Sequence, residues 1–569
     1  MMHFHEDTLP PRLPKGEMVA LDTELYGMQR DRLHRPSGIL ACLSVCVGDD
    51  VWQVYSAKDI SAAMRRVEKG DWCLQKGDFD FRQMRARGIL IPERRYWDTF
   101  YIEKELFSNY YSLFGLDSLS RRWLQKPLDK EARELFYGDA NRMTKEMQRY
   151  AARDAWTTFQ VAQRQKAYIL DGGLVEMIEQ GWYQTDMPTV WTILDMKGIC
   201  IDQPEWLSIA DEQEAIMEKA LMVLDYNPGS SKDVGARLAA EGIKLPKTPT
   251  GAWSTKEEYI LPYADRSETV RQVLEYRGAQ KFSGTYGRNF IHFVEEDNRI
   301  HAGWNAIGTE TFRLSCEQPN LQNIPKRDEV FGPRYRRAFV PARGNVYIKT
   351  DYKQCQVAVL AQVSQDTPLM RVFETGDDVH TAHAAWLFNT TIQKVTKDQR
   401  SHAKGVTFGV MFGESARALA EGEHVSRHEA QKFIDTFFAL HPGVRAWTQE
   451  SLRQRDFVVG PGGHRMWVNP YGGKHADNNR LNSPIQEGEV AIHKRAAAKL
   501  HHRWPAAWGE FGLVLLVHDE LVVEVPKRYA KACAKLVEEC ALEAEREVLP
   551  DVKPGADVDI CKNWYGDKV

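Results

Sequence analysis

Hydrophobic and polar positions along the chain mark out its strands and helices. The run MVALDTEL (18–25) is apolar apart from a threonine and two acids, and it reads as a buried strand. Side chains alternate across a strand, so Asp22 and Glu24 share a face, which is an odd lining for a buried element. CLQKGDFDFRQMRARGI (73–89) puts Asp80 just after Phe79, at a strand-to-helix junction. Residues 143–165 have helical periodicity, with Tyr150 and Asp154 one turn apart on one side. From about 186 the text turns to amphipathic helices, over 204–224 and 256–294, with NPGSSKDVGARL linking them. NVYIKTDYKQCQVAVLAQVS (345–364) reads as a strand from Val346 to Thr350 that ends at Asp351, then a helix. Near the end, LVLLVHDELVVEVP (513–526) is two β-rich runs joined at His518-Asp519-Glu520, the pattern of a β-hairpin.

Several of these positions carry candidate chemistry, each beside a plainer reading. Two adjacent carboxylates at a hairpin tip repel each other. They suit a divalent cation, which takes hard oxygen ligands, or they form a solvated tip. Asp351 at a strand end fits a metal ligand or a helix N-cap. Asp80 singly reads as an N-cap and Asp154 as a solvated helix residue, with Asp78 the fallback for Asp80. In QRSHAKGVTFGVMFG (399–413), Arg400, Lys404, Phe408 and Phe412 recur every four residues and form one helical stripe. Two cations suit phosphates and two aromatics suit a sugar and base, or the stripe is a basic amphipathic helix with an aromatic core face. Gly405, Gly409 and Gly413 beside it imply close packing or a ligand against the backbone. The loop TFRLSCEQPNLQNIP (311–325), with Arg313, Gln322 and Asn323, suits hydrogen bonds to nucleic-acid edges. Arg277 and Lys281, among Gly and Ser, suit phosphates or a solvated face. Asn482 and Gln486 lie one turn apart at what reads as a helix start.

Composition narrows little. The 569 residues are enough for several domains; hydrophobic residues make up 43% and charged ones 27%, and the net charge is −4. Any basic surface must therefore be local. No apolar run reaches the roughly 18 residues of a membrane span. The N-terminus lacks an apolar signal core, so a cytoplasmic location is expected. Residues 1–16, with three prolines, read as a loose lead-in. Nine cysteines without a Cys-x-x-Cys pair suit a reducing compartment and argue against a zinc site, and Cys42 and Cys46 are expected to be buried.

The acids Asp22, Glu24, Asp80 and Asp154, with Tyr150 beside the last, resemble the DEDD family of 3′–5′ exonucleases in its tyrosine variant, over roughly residues 17–170. That resemblance implies that the four acids hold two divalent ions and that Tyr150 orients the attacking water. The family's His-Asn before the Phe-Asp pair is Gln75-Lys76 here, which puts positioning of the DNA end in doubt. The later stretches together resemble a family A DNA polymerase: the 311–325 loop its first motif, DYKQCQVAVLA motif A, the 400–412 stripe motif B, NSPIQ the helix before motif C, and LVHDE motif C. With the exonuclease upstream, the resemblance covers nearly the whole chain from residue 17.

The resemblance implies an α/β and α+β multidomain protein, a ribonuclease H-like exonuclease domain followed by a right-hand polymerase. The expected divisions are a lead-in over 1–16, exonuclease over 17–175, thumb and connecting helices over 186–300, palm over 301–364, fingers over 365–475, and the second part of the palm over 476–569. It further implies Asp351 and Asp519 as ligands of two Mg²⁺ (or Mn²⁺) ions, with Glu520 in support and His518 near the primer end. His380, Arg400 and Lys404 would meet the triphosphate of a dNTP, Phe408 its sugar and Phe412 the templating base. Arg313, Asn482 and Gln486 would touch the minor groove of primer-template DNA. The implied partners are primer-template DNA, dNTPs and replisome proteins such as a helicase and a single-strand-binding protein, with no membrane and a monomeric enzyme. With the exonuclease resemblance beginning near residue 17, the expected form is one without a 5′-nuclease domain, which resembles a phage replicative enzyme.

Three positions depart from the family. Its motif A glutamate, which excludes a ribose 2′-hydroxyl, is Gln356; its motif A arginine is Ala358; its motif B tyrosine is Phe412. Gln356 keeps the size of glutamate, so deoxyribose preference is expected to persist. The other changes leave room for adaptation to a modified base such as 2-aminoadenine. The competing readings are a single-subunit RNA polymerase, or an exonuclease or DNA-binding replication protein with a non-catalytic polymerase domain.

Overall fold

The computed structural model describes residues 2–27, 38–129, 131–137, 142–326, 330–517 and 519–569. These form two compact units, each assembled from separated stretches: 1–197, 302–322 and 348–559 in one, and 198–301, 323–347 and 560–569 in the other. Residues 186–197, expected to open the thumb, belong to the first unit. No described helix is long and apolar enough to cross a membrane.

The first unit opens with a six-stranded sheet: β1 (His3–Glu6), β2 (Met18–Tyr26), β3 (Ile39–Val47), β4 (Asp50–Val54), β5 (Asp71–Leu74) and β6 (Trp97–Asp98), in the order β1-β4-β3-β2-β5-β6. β2 is interior, antiparallel to β3 and parallel to β5. Val19, Ala20 and Leu21 are buried, and Cys42 and Cys46 lie buried in β3, as expected. All nine cysteines are buried and unbridged. The lead-in expectation needs correction. His3–Glu6 is an edge strand parallel to β4, and His5 stacks on Trp52 at 5.0 Å. Four residues are too few to show a period, and the prolines that follow mask them.

Among the helices that pack on this sheet are α1 (Gly77–Arg85), α2 (Thr99–Phe107) and α3 (Lys145–Asp171). α3 begins where the Thr144 hydroxyl accepts from the Met147 amide, and it packs along β2 and β3. In the second unit, α4 (Glu268–Tyr286) packs against the helix Gln203–Val223. Helix is absent over 264–267, so the expected single helix over 256–294 is broken, and the linking stretch holds a helix of its own, Ser231–Ala240.

A four-stranded sheet lies mainly in the remainder of the first unit. Its strands are β7 (Asn345–Tyr352), β8 (Leu513–Val517), β9 (Glu520–Pro526) and β10 (Ala556–Cys561), in the order β8-β9-β7-β10. The predicted hairpin is β8 and β9, closed by Val517 opposite Glu520. Around it stand α5 (Cys355–Ser364), α6 (Val379–Leu387), α7 (Lys397–Met411) and the 31-residue α8 (Gly473–Arg503). α8 corrects a second expectation. Pro484 lies inside it, so Asn482 and Gln486 sit on an interior turn and not at a helix start. Proline in a helical pattern reads as a boundary, but here burial of most of the helix outweighs the one lost hydrogen bond.

A buried charge network ties α2 to α8. His464 meets Glu487 on α8 at 2.5 Å through Nδ1 and Asp186 at 3.2 Å through Nε2, and Lys494 pairs with Asp186. Burial disfavours the imidazolium, but Glu105 and Asp186 outweigh it and hold His464 up at about 10. Burial pushes Glu105 on α2 well above the carboxylate range, and the charges of His464 and Lys494 partly offset it. Although Glu105, Asp186 and His464 have metal-like spacing, two cations already balance Asp186 and Glu487. The group therefore reads as a structural lock.

Replacing His464 by Gln should cost about 3–5 kcal/mol, since it strands buried carboxylates. The folded pKa of His464 exceeds its unfolded value near 6.5, so its contribution is complete below that pH and fades as pH rises through about 10. Melting curves from pH 6 to 10 should show a falling wild-type Tm and a flatter, lower His464→Gln curve. Parallel curves would contradict the lock.

Candidate active sites

The first site is a cavity of about 350 Å³ bordered by Asp22, Glu24, Asp80, Tyr150 and Asp154. Strand β2 presents Asp22 and Glu24, the first turn of α1 presents Asp80, and α3 presents Tyr150 and Asp154. The Thr23 amide and hydroxyl donate to Asp80 Oδ1 at 2.8 and 2.6 Å. Asp78 also borders the cavity and accepts from the Tyr101 hydroxyl at 3.2 Å, so Asp80 needs no substitute.

Burial, then the mutual repulsion of Glu24, Asp80 and Asp154, pushes Asp22 well above the carboxylate range. Glu24 is raised by burial and Asp154, partly offset by Arg133, and Asp80 is raised by burial to about 7. Asp22 Oδ2 is buried without a hydrogen-bond donor among the described residues. Acids raised in this way, with an oxygen lacking a donor, fit divalent cations.

Lys76 adopts a left-handed conformation (φ 61°) before α1, held by the Asp98 carboxylate 3.0 Å from its amide. That backbone favours asparagine over lysine, which explains why the family's residue there suits the turn. Gln75 Nε2 donates to the Phe114 carbonyl at 3.1 Å.

The second site gathers around the four-stranded sheet. Asp351 lies near the end of β7 and is exposed, and Asp519 occupies the turn between β8 and β9. The N-cap of α5 is Gln354, so Asp351 is not the cap the plainer reading made it. β9 lies beside β7, which brings Glu520 to 3.4 Å from Lys349. The buried Cys355 thiol is pushed up by burial first, and then by the charges of Glu489, Glu545, Asp519 and Asp351. A carboxylate at the end of β7 and one in the turn leading into the adjoining β9 are a donor set suited to a hard cation. His518 lies outside the described residues.

The predicted stripe is present on α7. Lys404 Nζ lies 5.9 Å from the Phe408 ring centre, and Phe408 stacks on Phe412 at 5.9 Å. His380 on α6 is buried against Phe408 at 5.6 Å, and burial lowers it to about 4, which keeps it neutral. The Arg400 guanidinium is engaged by Asp378 through two contacts, at 2.9 and 2.8 Å. The glycine track serves packing: a Cβ on Gly405 would strike Glu423, and one on Gly409 would meet Leu419. Ala358 is fully buried in α5, so of the departures invoked for a modified base only the half-buried Phe412 has a surface to offer.

The expected DNA contacts divide. Arg313 pairs with Glu489 at 2.8 Å, and Gln356 Nε2 donates to both oxygens of the same Glu489 at 3.1 Å. Asn482 Oδ1 is buried without a donor among the described residues, and Gln486 Oε1 accepts from Thr311 at 3.3 Å. Gln322 donates to the Leu516 carbonyl at 3.2 Å, a bond that anchors its loop to β8. In the second unit Asn323 and Lys281 are exposed. Arg277 is corrected to a structural clamp, because its guanidinium donates to the Pro228 carbonyl and to the carbonyl and hydroxyl of Thr255. Sequence reasoning missed Thr23, Arg133, Asp378 and Glu489. No period or motif marks their part in the sites: Asp378 caps α6 locally through Thr381, but its hold on Arg400, like the contacts of the others at the sites, comes from residues remote in sequence.

Residues 207–566 match the family described as DNA polymerase family A. The chain belongs to that family. Residues 7–166 match the 3′–5′ exonuclease family. DNA polymerase I of Streptococcus pneumoniae (strain ATCC BAA-255 / R6) is 31% identical over 419 residues, covering 69% of this chain and 47% of the relative. The thermostable DNA polymerase I of Thermus aquaticus is 35% identical over 378 residues, covering 63% and 44%. The chain thus spans about half the length of the curated relatives it matches. The POL domain of Pol1 from M. smegmatis, solved in complex with DNA primer-template and dNTP, superposes with a TM-score of 0.83 at 23% identity over 98% of this chain and 97% of that one. That likeness bears on the fold, a polymerase domain preceded by an exonuclease domain.

Because the cluster around Asp22 is strained without a cation, metal-free Asp22→Asn should melt at or above the wild-type temperature and gain less from added Mn²⁺. A metal-free Tm several degrees below wild type would contradict this account of the site.

Proposed function

We propose that this protein is a DNA-templated DNA polymerase that extends a primer 3′ end with dNTPs and removes misincorporated nucleotides by 3′–5′ hydrolysis. The observation that carries the reading is the presence of two carboxylate centres in one family A chain, the cavity of Asp22, Glu24, Asp80 and Asp154, and Asp351 at the end of β7 with Asp519 in the turn that leads into the neighbouring β9. Both would hold pairs of Mg²⁺ or Mn²⁺. When bound, such ions lower the pKa of an attacking oxygen and stabilise the leaving one.

The chain's own groups do the rest. On the synthesis side, Lys404 and Arg400 present cations to a triphosphate from one face of α7. Arg400 must exchange the Asp378 carboxylate for phosphate oxygens, so Asp378 holds the guanidinium in position until a nucleotide arrives. Neutral, buried His380 supports the Phe408 ring against which a sugar would lie. The side-chain amide N–H groups of Asn482 and Gln486, one turn apart on α8, and the Arg313 guanidinium from its loop would donate to the primer terminus, where minor-groove acceptors are common to all base pairs. On the degradation side, Tyr150 lies beside the acids, held neutral because burial and then Asp154 oppose its ionisation. A neutral phenol can donate a hydrogen bond to orient an attacking water.

The test is primer extension and single-strand degradation with Mg²⁺. Asp519→Ala should lose synthesis by several orders of magnitude and retain degradation, and Asp22→Ala should do the reverse. Normal synthesis by Asp519→Ala would sink the assignment. The single-subunit RNA polymerase alternative predicts extension with ribonucleotides as efficient as with deoxynucleotides, which the same assay reads.

A further inference from the structure

Glu489 has no part in the chemistry derived so far, but two residues assigned to the substrate converge on it. It lies on α8, one turn from Gln486, and is 8% exposed. Arg313, from the loop after the 303–305 strand, reaches its Oε2 at 2.8 Å. Gln356, from α5, donates its amide to both carboxylate oxygens at 3.1 Å. Gly488 fixes the approach of α8 to α5, since a Cβ there would lie 2.7 Å from Pro461 and 2.8 Å from Val359. At the position where the family carries a glutamate, this chain has a neutral glutamine, and the glutamine is bound to a carboxylate supplied by another helix.

We propose that Glu489 is a positioning residue that orients Gln356 against the nucleotide sugar and Arg313 toward the primer terminus, so that sugar selection and primer-end checking depend on one carboxylate. This rests on the polymerase reading above. An amide donating to both carboxylate oxygens has its plane and rotamer fixed, so Gln356 is held as a rigid wall where a 2′-hydroxyl would intrude. The Arg313 guanidinium neutralises the same carboxylate, and its orientation toward the groove is set by that pair. A buried carboxylate with a single cation also makes the arrangement self-consistent: removing either partner weakens the hold on the other.

The measurement is kcat/KM for a dNTP and for the matching rNTP in single-nucleotide extension, for wild type, Gln356→Ala, Glu489→Ala and the double variant. Matched and mismatched primer ends are compared with Glu489→Gln and Arg313→Ala. Glu489→Ala should lower the dNTP/rNTP ratio about tenfold or more, and the double variant should fall no further than Gln356→Ala alone. Glu489→Gln still accepts from Gln356 but offers Arg313 no charge. It should keep the ratio within about threefold of wild type while extending mismatched ends as readily as Arg313→Ala. A wild-type ratio in Glu489→Ala, additive losses in the double variant, or wild-type mismatch rejection in Glu489→Gln would each overturn the inference and leave the polymerase reading standing. A wild type unable to extend a primer would overturn both.

Discussion

Like-charged carboxylates gathered on a buried face repel each other, and the fold holds them there regardless. Strand β2 is interior to its sheet, buried through Val19, Ala20 and Leu21, so the alternation of its side chains leaves Asp22 and Glu24 no other direction to point. Helix α3, packed on β2, completes the cluster with Asp154. The cost appears as carboxyl groups raised out of their ordinary range, Asp80 to about 7 among them. Hydrophobic burial of the sheet supplies the free energy that keeps the cluster assembled, and cations relieve it. Stability has been traded locally for a donor set suited to divalent cations.

Helix α8 plays the corresponding organising part for the second site. One stretch of 31 residues carries Asn482, Gln486, Glu487, Glu489 and Lys494. Its charged groups face different tasks. Glu487 and Lys494 are absorbed in the neutralised network with His464 and Asp186, and Glu489 faces Arg313 and Gln356. His464 also stacks on Phe312 at 4.1 Å, next to Arg313 in the chain. The network that locks α2 to α8 therefore also steadies the loop presenting Arg313. The two groups differ in burial: the members of the lock are sealed from water, whereas 39% of the Arg313 side chain remains exposed.

Much of this was legible from local pattern. Acids two apart in an apolar run, an acid one turn after a tyrosine, a cation-aromatic stripe every four residues and two β-rich runs about His518-Asp519 are periodic signals, and the elements beneath them formed as read. What stayed hidden is of another kind. Glu489 in the text is one acid among several in a helical run, and Asp378 an ordinary helix N-cap, because their meaning lies in partners over 100 residues away for one and 22 residues away for the other. Arg277 read as a phosphate contact because a cation among small residues looks available, and only the fold brings acceptors to it. Pro484 disguised the interior of a long helix as its start, since intrinsic propensity cannot register the burial that overrides it.

The most direct test of the central claim is anomalous diffraction from crystals soaked with Mn²⁺ in the presence of primer-template DNA and a non-hydrolysable dNTP analogue. The account predicts manganese at two places: within the cavity of Asp22, Glu24, Asp80 and Asp154, and adjoining both Asp351 and Asp519. Manganese that is absent from both acid clusters, or that binds at Glu105, Asp186 and His464 in their stead, would contradict it.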